Sequence, residues 1–133
     1  MKYVYPACFY KEDDGRYSVE IPDFSMTTFG DDLAEAMYMA SDAIAGRIHL
    51  AIGEGDLLPA PSDINDVKSD DPSGFASMVF VDLDASAPAY EAKPVKKTLA
   101  IPSWLNVAAE RQNINFSATL KEALIEKLTS PNR

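Results

Sequence analysis

The chain has 133 residues, 47% of them hydrophobic and 25% charged, which is enough for one core and a small appended module. No stretch reaches the roughly 18 apolar residues of a membrane span, and Met1–Tyr5 lacks the basic-then-apolar run of an export signal, so a cytoplasmic location is expected. A single cysteine, Cys8, excludes an intramolecular disulfide, and a net charge of −9 argues, as an average, against nucleic acid.

Tyr5–Tyr10 and Tyr17–Ile21 read as two strands, with Cys8 as a small core residue of the first. Between them Asp14-Gly15 signals a hairpin, because glycine takes positive φ without steric cost. Pro22-Asp23-Phe24-Ser25 breaks the second strand, and Met26–Phe29 reads as a third, short one. Gly30-Asp31-Asp32 then opens a helix in which Asp32 and Glu35 have the spacing of a capping box. Leu33, Met37, Ala40, Ile44, Ile48 and Ile52 form a stripe that should pack on a sheet. Gly53 and Gly55 end the helix, and residues 57–62 leave it extended. Residues 63–74 are a polar, acidic loop. Phe75–Leu83 is apolar on both faces, as a central strand would be. Residues 85–94, with two prolines and no periodicity, read as a linker, so that the halves on either side should fold separately.

The last third has a different character. Leu99 and Ile101 alternate with Thr98 and Ala100 in a half-buried strand pattern. Pro102 stops that strand and suits the first turn of a helix. Leu105, Ala108, Ala109 and Gln112 follow helical spacing, and Asn113 suits a left-handed helix end. Asn115 is a good N-cap for a second helix lined by Leu120, Ala123, Leu124 and Leu128. About 33 residues with one unpaired strand cannot form a core alone; a second copy, pairing strand to strand, supplies the rest. Residues 93–133 carry seven basic side chains against three acidic ones, a net +4, which leaves −13 for residues 1–92. A basic tail on an acidic body is hidden in the average, and its local field favours DNA.

This tail resembles a ribbon-helix-helix DNA-binding domain, an obligate dimer whose two-stranded ribbon enters the major groove. The resemblance implies that Lys96, Thr98 and Ala100 face the groove and that Asn115, Phe116 and Ser117 bring a helix N-terminus to phosphate. The rest of the chain is similar to HicB antitoxins. The residues that carry this are Tyr5-Pro6-Ala7, the Asp-Asp-Gly hairpin, Tyr17 to Asp23, Gly30 to Ala36, and Pro59-Ala60-Pro61-Ser62. One departure is Ser25-Met26-Thr27-Thr28, where the family usually has a Gly-Cys-type turn. The family implies an α+β fold: a small antiparallel sheet with one long packed helix, truncated ribonuclease-H-like, followed by a dimerising ribbon-helix-helix. It implies three segments: a toxin-binding domain over 1–84, a linker over 85–94, and the DNA-binding domain over 95–133.

A ribonuclease-H-like fold invites a search for clustered carboxylates that hold two metals. Asp82 and Asp84 share one face, and Asp13, Asp14 and Glu20 lie near strands, but no motif places a third acid beside them. They read as solvated strand-end and turn residues. His49, the only histidine, has no second ligand or nucleophile motif around it and reads as a packing or surface residue. There is no phosphate loop, dinucleotide fingerprint or zinc spacing, and no cofactor, metal site or catalytic residue is expected. The resemblance implies an antitoxin that is not an enzyme. Its expected partners are a HicA-type toxin that cleaves messenger RNA and its own operator DNA, which it would repress. It would act as a homodimer through the C-terminal strand, on which higher oligomers could build. The alternatives are a metal-dependent nuclease and a stand-alone repressor. Tyr3, Tyr5, Tyr10 and Tyr17 are candidate apolar anchors for the toxin, with at least half of them needed for packing instead.

Overall fold

A computed structural model describes residues 1–86 and 93–129. Three antiparallel strands come first: β1 (Lys2–Lys11), β2 (Tyr17–Ile21) and β3 (Met26–Gly30). The β1–β2 turn closes as expected: Gly15 has φ +88°, its N–H donates to the Glu12 carbonyl at 3.0 Å, and the Glu12 N–H donates to Arg16 O at 2.7 Å. Pro22–Phe24 form a short 3-10 turn, and Ser25 takes the left-handed conformation, φ +51°, on the way into β3.

Helix α1 (Leu33–Glu54) follows, capped by Asp32, whose carboxylate accepts the Glu35 N–H at 2.8 Å. Its C-terminus is closed by Gly55 at φ +77°. The face it buries is wider than the expected stripe. Ala36, Ala40, Ile44, Ala45, Ile48 and Ala51 are buried, Met37 and Ile52 flank them, and Leu33 is exposed. At about 100° per residue the expected stripe covers about 120° of the helix, whereas the buried set, from Ala36 round to Ala45, covers about 180°. Leu33 falls inside that arc and is exposed as the first residue of the helix. Small alanines then allow close approach to the sheet. At the entry to α1 the approach is closer still: a Cβ on Gly30 would lie 2.3 Å from the Ala36 nitrogen.

β4 (Phe75–Asp82) pairs antiparallel with β1, giving the order β3-β2-β1-β4. The apolar pattern of this segment predicts a central strand; it is an edge strand. One face, Val79 and Val81, is buried under α1 with Tyr5, Ala7, Phe9, Val19 and Ile21. The other face belongs to an outer side of the sheet on which no α-helix of the described residues packs. The double-sided apolar pattern therefore reflects an open face and not a second layer of structure. Part of that outer side is covered by the loop before β4, which folds back over Cys8 and Tyr10. Gly74 lies so close to the Tyr10 ring that a Cβ there would meet it at 2.7 Å.

A four-residue helix, α2 (Leu83–Ser86), ends the body. Ala85 and Ser86, expected to begin the linker, thus close a helix, and residues 87–92 of that segment lie outside the described residues. Then come α3 (Ser103–Arg111) and α4 (Phe116–Thr129). No helix among the described residues is long and apolar enough to cross a membrane.

Candidate DNA-binding tail and partner-binding body

The tail reproduces its predicted local chemistry. Pro102 is the N-cap of α3, one position before the expected first turn. Asn113 is left-handed at φ +55°, and the Asn115 side chain accepts the Ala118 N–H at 3.0 Å, capping α4. Asn115, Phe116 and Ser117 stand together at the exposed start of α4. Lys96, Thr98 and Ala100 lie in the segment before α3, where residues 93–101 are all exposed and pair with no strand in the single chain. A lone strand has no ladder to join, so the ribbon pattern in the sequence has no counterpart within one chain.

The helices themselves lack cover. Neither α3 nor α4 has a buried residue. Leu99 is 62% exposed, Ile101 46%, Trp104 71% and Leu124 50%, and Leu105, Leu120 and Leu128 are open as well. An apolar surface of this extent on one small unit marks an interface.

The tail also touches the body. Lys121 Nζ lies 2.7 Å from Asp84 Oδ1, while Asp84 Oδ2 accepts the N-terminal ammonium of Met1 at 2.8 Å. The Lys121 hydrogen bond, and then that of the N-terminus, hold the Asp84 carboxyl below the usual carboxylate range. The expected independence of the two halves is therefore qualified by a direct ion pair.

On the body, three of the four candidate tyrosines face α1. Tyr5 is buried, donates its hydroxyl to Pro59 O at 2.7 Å, and is pushed up to about 12 by burial and by nearby Tyr3 and Asp23. Tyr3 and Tyr17 pack against the same core. Only Tyr10 belongs to the outer side. Its hydroxyl donates to Glu20 Oε2 at 3.2 Å, and it lines an open notch of about 340 Å³ with Glu12, Ser18, Glu20, Asp70 and Asp71. Beneath it Cys8 is buried, and burial pushes its thiol up, away from the reactive thiolate. A second depression, about 470 Å³, lies beside Arg47 and the 57–60 segment. Arg47 Nη1 and His49 Nε2 are shielded there and on α1 without a hydrogen-bond partner among the described residues.

The match to known proteins decides the family. Residues 5–123 fit the model of the HicB-like antitoxin of bacterial toxin–antitoxin systems. The chain belongs to the HicB-like antitoxin family. Among solved structures it is similar to a chain of a toxin–antitoxin complex from Streptococcus pneumoniae, with 34% identity, TM-score 0.60, and coverage of 96% of this chain and 99% of that one. Antitoxin HicB3 is 27% identical at TM-score 0.59, with 96% and 99% covered. The antitoxin HicB of Burkholderia pseudomallei shares the fold at 22% identity and TM-score 0.53, with 94% and 96% covered. No curated protein sequence matches the chain.

In this HicB-like chain the sequence signals foresaw the caps of the tail but not the acidic notch. Glu12 and Ser18 flank the first hairpin, whereas Asp70 and Asp71 come from a loop some fifty residues later. Only the return of that loop across Tyr10, which Gly74 permits, brings them together.

Proposed function

We propose that this HicB-like chain is a non-enzymatic antitoxin with two tasks. Its body binds and neutralises a HicA-type toxin that cleaves messenger RNA, and its tail represses its own operon in the cytoplasm. In this reading the body, over 1–84, is a truncated ribonuclease-H-like domain. Residues 95–133 are a ribbon-helix-helix that pairs with a second copy through Lys96–Ile101. The observation that carries the dimer is the uncovered apolar surface of Leu99, Ile101, Trp104, Leu105, Leu120 and Leu124, which a second tail would bury.

Charge supports the division of labour. A protein that grips RNA carries basic side chains, and a body of net −13 attracts it while repelling RNA itself. In the dimer, Lys96, Thr98 and Ala100 would face the major groove and the start of α4 would approach phosphate. Lys121, held by Asp84, is not counted among the DNA contacts.

The nuclease alternative finds no support in the carboxylates. Among the described residues no three His, Cys, Asp or Glu side chains stand close enough to hold a metal ion, and Asp84 is occupied by two cations. The test is paired. The chain should rescue growth of cells expressing the toxin encoded beside it, and should shift DNA from its own promoter with a steep loss of affinity as salt rises. Failure of rescue overturns the antitoxin task, and salt-insensitive or absent DNA binding overturns the repressor task.

A further inference from the structure

The geometry points to the exposed parts of the outer side of the sheet as the surface that holds the toxin, with Val4 and Phe80 as its apolar anchors and the acidic notch as the receptor for a basic side chain. The assignment rests on the antitoxin reading and adds the face and the chemistry of contact.

Strand register places these groups together. Val4 pairs with Phe80 and Cys8 with both Ala76 and Glu20, and directly paired residues share a face. The outer side therefore runs from the exposed Phe80 and Val4, past buried Pro6 and half-buried Met78, to Glu20 and Tyr10. Phe80 is 56% exposed and Val4 44%, although α1 buries their neighbours Val79 and Val81 on the opposite side. An exposed aromatic opposite an exposed valine, towards one end of the β1–β4 pair, is an unpartnered packing surface. At its other end stands the notch of Tyr10, Glu12, Glu20, Asp70 and Asp71. Its carboxylates are too dispersed for a metal ion, so they suit a larger cation such as a guanidinium or ammonium side chain.

Charge selects the occupant. A second copy laid on this face would bring the same four carboxylates against its own acidic body, of net −13. The chain's own α4 is held elsewhere, at Asp84. A small basic protein satisfies both parts of the surface: an apolar contact at Phe80 and an arginine or lysine at the notch. The exposed apolar residues of α1 offer no rival patch. Tyr38 and Leu50 are twelve positions apart, about 18 Å along the axis.

The test uses the full chain and the toxin encoded beside it, with binding followed by surface plasmon resonance. Phe80→Glu should weaken binding by at least about 30-fold, as expected for an anchor. Glu20→Lys combined with Asp70→Lys should slow association by about tenfold and flatten its salt dependence. Tyr38→Glu should bind as the wild type does. All four positions are exposed, so an unchanged thermal midpoint confirms folding, and Val4→Lys serves in place of Phe80→Glu if that variant is unstable. Wild-type affinity in folded Phe80→Glu and in the double lysine variant overturns the assignment. So does loss of binding in Tyr38→Glu, or a self-association of the chain that Phe80→Glu abolishes. A wild-type chain that does not bind the toxin at all overturns the antitoxin reading itself, and this surface with it.

Discussion

Leu99→Asp tests the dimer that the tail requires. In the single chain 62% of Leu99 is open to solvent, so about three-fifths of its burial is still to be gained. Complete burial of a leucine stabilises by about 1.5–3 kcal/mol, which leaves about 1–2 kcal/mol per copy and about 2–4 kcal/mol for a symmetric pair. Aspartate forfeits that gain and adds the cost of taking two carboxylates out of water across one ribbon. The dimer constant should therefore fall by at least about 30- to 1,000-fold, at 1.4 kcal/mol per factor of ten. Sedimentation equilibrium of the full chain over a wide concentration range measures this, with operator binding followed on the same samples. Since Leu99 is neither in the body's core nor among the hydrophobic residues packed against it, the circular dichroism of the variant should match the wild type. A variant that dimerises as tightly as the wild type would refute pairing through this strand.

Other expectations concern single contacts. Gly30→Ala places a Cβ 2.3 Å from the Ala36 backbone nitrogen, so β3 and α1 must separate; urea unfolding should show a loss of about 1–3 kcal/mol, and a change within about 0.5 kcal/mol would mean that the helix entry yields freely. Asp84 has its carboxyl depressed by Lys121 and the N-terminus, so its contribution is complete above the ordinary aspartate range near 3.9 and is lost as pH falls through the depressed folded value. At about half exposure the pair stabilises by about 0.2–1 kcal/mol, so Asp84→Asn should differ from the wild type by that amount at pH 7, and the difference should close as falling pH protonates the folded carboxyl. Replacing Thr98 by alanine should relax operator preference at one base position by about 1–3 kcal/mol; equal weakening on every operator variant would make Thr98 a phosphate contact.

What was legible in the sequence was the chemistry that acts within a few residues. Gly15 at φ +88°, Asp32 on the Glu35 N–H, Asn113 at φ +55° and Asn115 on the Ala118 N–H are all settled by local backbone sterics and capping. The position of β4 was not legible, because strand order depends on which distant segment offers an edge, and an apolar run looks the same beside one neighbour or two. The notch was hidden for a similar reason. It needs the 69–74 loop to cross Tyr10, a contact fixed by the space that Gly74 leaves. The tyrosines were ambiguous because alternation assigns Tyr3, Tyr5 and Tyr17 to one face without saying whether α1 or solvent lies against it. The ion pair of Asp84 with Lys121 joins residues 37 positions apart across the linker, and neither has a local partner that would betray it.

Neutralisation is best measured as RNA cleavage by the toxin during titration with this chain. Cleavage should fall to background when one body is present per toxin, and the chain alone should leave the RNA intact with or without added magnesium. Continued cleavage at a severalfold excess of folded chain, or cleavage of RNA by the chain itself, would contradict its role as a non-enzymatic antitoxin.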